Sequence, residues 1–110
     1  MEIEQMKKYK KTIAAAEALV SGPRDEDYNR GGVTLRDYWK VNGLLSPLQM
    51  VDMKLKRALS QISSWDMEKI GTPIPKDKVQ VDKLTESMLD LINYAAFVVC
   101  EAETLWEEHK

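Results

Sequence analysis

The stretch 82-DKLTESMLDLINYAAFVVCEAETL-105 carries the longest periodic pattern in this chain of 110 residues. Apolar side chains return along it every three or four positions: Leu84, Met88, Leu91, Ala95, Val98, Ala102 and Leu105. This spacing predicts a long amphipathic helix that starts between Asp77 and Asp82 and runs to about Glu108. A stripe of this length needs partner helices to cover it.

A second helix is predicted upstream, where Ser46-Pro47-Leu48-Gln49 is a helix-start signal. Serine is a good N-cap and proline suits the first helical position, so we expect the helix to begin at Ser46 and to end near Ser63. One stripe of it carries Leu48, Val51, Leu55, Leu59 and Ile62. The connection at 63–76 holds one glycine and two prolines, and it is predicted to pack as an ordered flap or brief hairpin.

The N-terminal part of the chain adds two further helical patterns. Residues 3–20 repeat apolar side chains at helical spacing until Gly22-Pro23, and a loop follows at 23–33. A short helix is predicted between Thr34 and Asn42-Gly43. The fold class is therefore all-α: a single domain over 1–110, with three to four helices in a bundle that oligomerisation completes.

Composition narrows the classes of function. Apolar residues make up 44% and charged residues 31% of the chain, and the net charge is −2. That charge gives no reason to expect nucleic acid or an anionic membrane as a partner. The single His109 and the single Cys100 favour neither a histidine-based catalytic pair nor a zinc site. Cys100 lies in an apolar run, so we expect a buried, reduced thiol and a cytoplasmic protein.

Three acidic residues on the last helix are the first candidate site. Asp82, Glu86 and Asp90 recur at every fourth position, so their carboxylates lie along one face, where they repel one another. Mg²⁺ would offset that repulsion and accepts one or two carboxylates plus phosphates. The following run, 91–100, is apolar all round and predicted to be buried, which would put the acids at the mouth of an enclosed region. The alternative is a solvated acidic face.

Two further groups are candidates for binding a ligand. Lys54 and Arg57 lie three residues apart on the helix that starts at Ser46, and together they suit a polyphosphate. The loop residues Tyr28, Asn29 and Arg30 are candidates to wrap a ligand, with the tyrosine available to stack on a base. The alternatives are solvated charges or ion pairs with the acidic stripe for the first group, and a plain surface loop for the second.

Two segments carry a resemblance to a known family. The run MVDMKLKRAL at 50–59, followed by ESMLDLINYAAF at 86–97, resembles the all-α nucleotide pyrophosphohydrolase (MazG-like) superfamily, especially small phage proteins associated with nucleotide modification. The family implies a helical bundle that forms a dimer or a tetramer, a nucleotide in its cleft, and Mg²⁺ on acidic residues. Carried over, it implies Glu86 and Asp90 as catalytic residues that hold Mg²⁺, and ligand contacts from the residues Tyr28, Asn29, Lys54, Arg57 and Tyr94. The acidic stripe adds Asp82 to the predicted Mg²⁺ ligands, and the loop adds Arg30 to the predicted ligand contacts.

The chain departs from the family pattern at both acidic motifs. The hydrolases carry E-x-x-E before the K-x-x-R position, where this chain has Asp52 as its only carboxylate, and Ser87 stands where they carry the first acid of E-x-x-D. Two functions therefore stay open: a Mg²⁺-dependent nucleotide pyrophosphohydrolase, or a non-catalytic phage-type protein that sequesters a nucleotide or a cyclic-nucleotide immune signal. A third reading is a structural module that oligomerises through the last helix. Under each of these readings the protein is predicted to be cytoplasmic, and a phage-encoded protein would lie in the cytoplasm of the host.

Overall fold

The computed structural model describes residues 2–21, 43–67 and 71–110, which form three helices and one small hairpin. The helices are α1 (Ile3–Ser21), α2 (Leu45–Ile62) and α3 (Lys78–His109). The strands β1 (Asp66–Met67) and β2 (Pro73–Ile74) pair antiparallel between α2 and α3. The all-α fold with a long C-terminal helix is confirmed, and so is the brief hairpin. The predicted loop and short helix before Gly43 lie outside the described residues.

Helix α3 contacts both of the other helices. It runs antiparallel to α2, because Lys54 lies beside Asp90 whereas the later residue Gln61 lies beside the earlier residue Ser87. It runs parallel to α1, because the Asn93 amide binds the Ala16 carbonyl while earlier residues of the two helices, such as Lys8 and Lys78, line one groove. Asn93 lies about a quarter of a helical turn away from the line of contact with α2, so α1 and α2 occupy different sides of α3.

The start of α3 is fixed by its own side chains. Asp77 is the N-cap, and its carboxylate accepts a hydrogen bond from the Gln80 backbone N–H at 3.0 Å. The Gln80 side chain reaches back and accepts the Lys76 N–H at 2.8 Å. One backbone donor of the first turn and the N–H of the residue before the cap are thereby satisfied, which confirms the predicted start of this helix close to Asp77.

The predicted start of α2 at Ser46 is wrong. The helix begins at Leu45, and its N-cap Leu44 makes no side-chain capping hydrogen bond. Instead the Ser46 N–H binds the Gly43 carbonyl at 3.2 Å, so the turn at Gly43, whose φ is +57°, leads directly into the helix. Pro47 still fits within the first turn, where its missing N–H costs no intrahelical hydrogen bond.

The side of α2 that packs on α3 is not the leucine stripe. Pro47 and Ala58 are buried and Lys54 is half-buried, whereas Leu48, Leu55 and Leu59 remain 43–55% exposed. The packing side is rotated by somewhat more than a quarter turn from these leucines, at 100° per residue. Small and polar side chains on this side let the two helices make close polar contacts. The leucines lie on the flank of the helix pair.

The apolar run at 91–100 is less covered than its composition predicts. Val99 is 56% exposed and Cys100 is exposed as well, so the expectation of a buried thiol is wrong for the single chain. In the described part of the chain, Ala16, Ala58 and Pro47 are the fully buried apolar residues. None of the helices in that part is long and apolar enough to span a membrane.

Candidate functional site

The contact between α2 and α3 is built around a nearly buried ion pair. The ammonium nitrogen of Lys54 lies 3.1 Å from the Asp90 carboxylate, and their side chains are 17% and 4% exposed. An ion pair so far from water is rare, because both charges lose hydration on folding and recover it only through good partners. We therefore take Asp90, with Lys54, as the centre of the candidate site.

A polar hydrogen bond continues this contact two turns along α2. The buried Ser87 hydroxyl donates to the Gln61 side-chain oxygen at 2.9 Å. Ser87 is the position at which the resembling hydrolases carry an acid. Here its side chain is turned toward the neighbouring helix and bonded there. The term polar seam is used below for the four residues Lys54, Asp90, Gln61 and Ser87.

The other two predicted acids are not gathered into the seam. Asp82 is exposed and forms an ion pair with Lys78, one turn earlier on α3, at 3.1 Å. Glu86 is exposed one turn before Asp90. Asp82 and Asp90 stand eight residues apart, about 12 Å along the helix axis, so they cannot ligate the same ion. Across the described ranges, no group of three His, Cys, Asp or Glu side chains is placed to hold a metal ion.

The second predicted cation, Arg57, lies on the rim and not in the seam. It is exposed, whereas Lys54 three residues before it is half-buried. Around the axis of its own helix, each of Arg57 and Glu86 is rotated by about 60° from the seam residues, in the same rotational sense. Because the two helices are antiparallel, rotation in the same sense brings both residues to one common side of the helix pair. Arg57 and Glu86 therefore border the same side of the seam, which is called the charged side below.

The aromatic candidates fall into two cases. Tyr94 is half-buried one turn after Asp90, and its ring meets that of Phe97 edge to face, with centroids 6.0 Å apart. This arrangement is typical of packed aromatic pairs. Tyr28, Asn29 and Arg30 lie outside the described residues.

Asp52, the sole carboxylate of α2, is exposed and paired with Lys56 at 2.8 Å, away from the seam.

The hairpin end of the seam opens into a small cleft. Its volume is about 180 Å³, and it is lined by Gln61, Ser64, Trp65, Gln80 and Lys83. The side-chain oxygens of Gln61 and Gln80 already accept hydrogen bonds within the chain, from Ser87 and from the Lys76 N–H. Each amide therefore keeps its NH₂ group for other partners. The lining contains no carboxylate.

Two buried polar residues of α3 were missed by the sequence analysis as site residues. Asn93 and Glu101 are buried, and Asn93 donates to the Ala16 carbonyl at 2.9 Å. The signal was present, because Asp90, Phe97 and Glu101 lie on one helix face at steps of seven and four. The spacing of polar residues along one helix does not show which of them face a neighbouring helix.

The chain matches no family model, no curated protein and no solved structure.

Proposed function

We propose that this protein binds a nucleotide, or a nucleotide-like phosphorylated ligand, on the charged side of the polar seam. The observation that supports the proposal most directly is the Lys54–Asp90 ion pair, in which a carboxylate is held 4% exposed by a cation from another helix. Apolar side chains of similar volume would join two helices at least as stably, so such a pair is weakly explained by stability alone. The resemblance of these two segments to MazG-like proteins supplies the ligand class.

In the proposed complex, the phosphates lie against the exposed Arg57 and the accessible part of Lys54. The ammonium group of Lys54 has three N–H donors, and Asp90 takes one of them, so donors remain for a phosphate oxygen. Arg57 supplies a planar fork that suits two phosphate oxygens. Lys54 would thus orient Asp90 and contact the ligand at the same time.

Mg²⁺ is the cofactor proposed with this ligand. Glu86 and Asp90 lie one helical turn apart, and the ion needs one or two such carboxylates beside phosphate and water. Asp82 would stand outside this coordination sphere, because it is held by Lys78 and lies too far from Asp90. The bound ion would supply charge neutralisation on the phosphates and orientation of a water molecule.

The ligand could be cleaved or only held, and one observation favours holding it. The Ser87 hydroxyl is bonded to Gln61 at the position where the resembling hydrolases carry an acid, and the charge of Asp90 is already compensated by Lys54. The electrostatics of the seam therefore do not require a cation. The alternative to a pyrophosphohydrolase is a protein that sequesters a nucleotide or a cyclic-nucleotide signal.

Calorimetric titration with a panel of nucleoside triphosphates, monophosphates and cyclic dinucleotides, with and without Mg²⁺, tests the proposal. We expect one class to bind, and Asp90→Asn and Arg57→Met each to weaken binding at least about tenfold. Asp52→Asn is the matched control, since it removes an exposed α2 carboxylate away from the seam and should leave affinity unchanged. Chromatography of the recovered ligand separates cleavage from sequestration.

Failure of every nucleotide to bind would contradict the proposal and leave the structural module. Equal binding by the Asp90→Asn variant and the wild-type protein would contradict the placement of the site.

We also propose that the protein acts as a homo-oligomer, a dimer or a tetramer, in the cytoplasm. The scarcity of buried large apolar side chains in the described residues supports the oligomer.

A further inference from the structure

The leucine stripe of α2 is uncovered in the single chain. Leu45, Leu48, Leu55 and Leu59 are 61%, 43%, 47% and 55% exposed, and all four project from one side of the helix. Single exposed leucines are common, but four on one helix face form a contiguous patch, which in soluble proteins marks an interaction surface.

The apolar stripe of α3 extends this patch. Its members lie on average about 80° around α3 from the line of contact with α2. The α2 leucines are displaced in the same rotational sense on their own helix. Since α2 and α3 are antiparallel, displacements of the same sense fall on the same side of the pair. Leu84, Met88 and Leu91 are half-buried there. The name leucine face is used for this surface, formed by Leu45, Leu48, Leu55, Leu59, Leu84, Met88 and Leu91.

The leucine face lies opposite the charged side. Arg57 and Glu86 are displaced from the seam in the other rotational sense, so the two surfaces of the α2–α3 pair have different chemistry. On α2 the charges nearest the leucines are Asp52 and Lys56, which neutralise each other at 2.8 Å. A strongly charged partner would find no complement on this face, whereas an identical neutral apolar face would meet no repulsion.

The described residues also lack large side chains at the centre of their packing. Ala16, Ala58 and Pro47 are the buried apolar residues of this part of the chain, whereas the four leucines of α2 remain exposed. A second copy would supply the large apolar side chains that the core of a single copy lacks. An apolar surface two helices wide is what a second helix pair covers in a four-helix bundle.

We propose that a second copy of this chain packs on the leucine face, so that α2 and α3 of each copy complete one four-helix core. The two copies would meet through the same surface, as in an isologous dimer. The contact between the copies would lie on the side of the helix pair opposite Arg57, Glu86 and the Asn93 contact with α1. The inference depends on exposure and helix geometry, and it stands whether or not nucleotides bind.

Sedimentation velocity across a concentration series tests the proposal on the full chain. We expect a wild-type dimer at micromolar concentration, and a dissociation constant raised at least about a hundredfold by the double variant Leu55→Lys, Leu59→Lys. Met53→Lys is the matched control, because Met53 is 58% exposed on the same helix but lies about a third of a turn away from the leucines. The control should sediment as the wild type does.

A second measurement keeps the test valid where the double variant fails to fold. The thermal midpoint of the wild-type protein should rise with protein concentration, because association stabilises the folded chain. A wild-type monomer with a concentration-independent midpoint would overturn the proposal. So would a dimer that survives in the double variant, since the copies would then meet through another surface.

Discussion

The ion pair between Lys54 and Asp90 differs from the other ion pairs of the described residues in its distance from water. Lys56–Asp52 and Lys78–Asp82 join side chains that are each more than half exposed, whereas Asp90 is 4% exposed. Exposed pairs contribute little because water competes for both charges. A buried charge that loses its partner has no water to replace it.

The Lys54→Met variant should therefore lose about 3 kcal/mol of unfolding free energy, because the buried Asp90 carboxylate would lose the ammonium group that lies 3.1 Å from it. Urea denaturation measures this loss. Lys56→Met removes a lysine of the same helix from an exposed pair, and it should change stability by less than about 0.5 kcal/mol. Similar losses in the two variants would show that burial does not distinguish these pairs.

Single residues of the site could be foreseen from the sequence to different degrees. Helical spacing and the resemblance placed Lys54 and Asp90 among the candidates, and ion pairs with the acidic stripe were an open alternative for the basic group. Their direct contact required the register between two helices, which spacing along one helix does not contain. Ser87 illustrates this best, because only the position of Gln61 explains its orientation.

Helix starts show the same division at the level of elements. The sequence placed the start of α3 correctly, since Asp77 caps it, but it assigned a capping role to Ser46 that this residue does not have. A serine before a proline is a local signal. The turn at Gly43, with φ of +57°, comes earlier and takes precedence by starting α2 at Leu45. Local signals predict a helix start only when the preceding turn agrees.

These two residues give a matched experiment on capping. Asp77→Ala removes the acceptor of the Gln80 N–H and should cost about 1 kcal/mol of unfolding free energy. Ser46→Ala should cost less than about half of that, because α2 has no side-chain cap to lose. Thermal or urea denaturation of both variants provides the comparison. A larger loss for the serine variant would restore the sequence-based assignment.

The face of each helix that packs was harder to predict than the helix itself. The periodicity of α2 gave its extent, and the leucines were the natural choice for its packing side. In the structure Ala58 and Lys54 take that side, because small and polar residues let α2 approach the polar positions of α3. A sequence shows which positions are apolar, but it does not show whether the same chain or a neighbouring copy covers them.

At the scale of the whole molecule, the three helices differ in how firmly they are held. Residues 3–15 of α1 are all exposed, and Ala16 is the buried residue of this helix. Helices α2 and α3 share the polar seam over about two turns of α2, from Lys54 to Gln61. Local stability follows the number and burial of such contacts. Helix α1 should therefore open independently of the helix pair.

Hydrogen exchange should resolve this difference. Backbone amides of α1 before Ala16 should exchange at least about tenfold faster than amides near Ala58 and Asp90, where the surrounding side chains are buried. Mass spectrometry of peptic fragments measures the rates, and Asn93→Ala should accelerate exchange in α1 while α2 is unchanged. Equal protection of all three helices would contradict this order of stability.

Ser87, Asp90 and Asn93 contact both neighbouring helices of α3. They lie within seven consecutive residues, a span of about 9 Å. A helix is stiff over such a distance, so these three side chains move together when α3 rotates. A rotation of α3 about its axis therefore changes the Lys54–Asp90 contact and the position of the Asn93 amide relative to Ala16 at the same time. The N-terminal helix is thus anchored to the same short segment of α3 that carries the buried carboxylate.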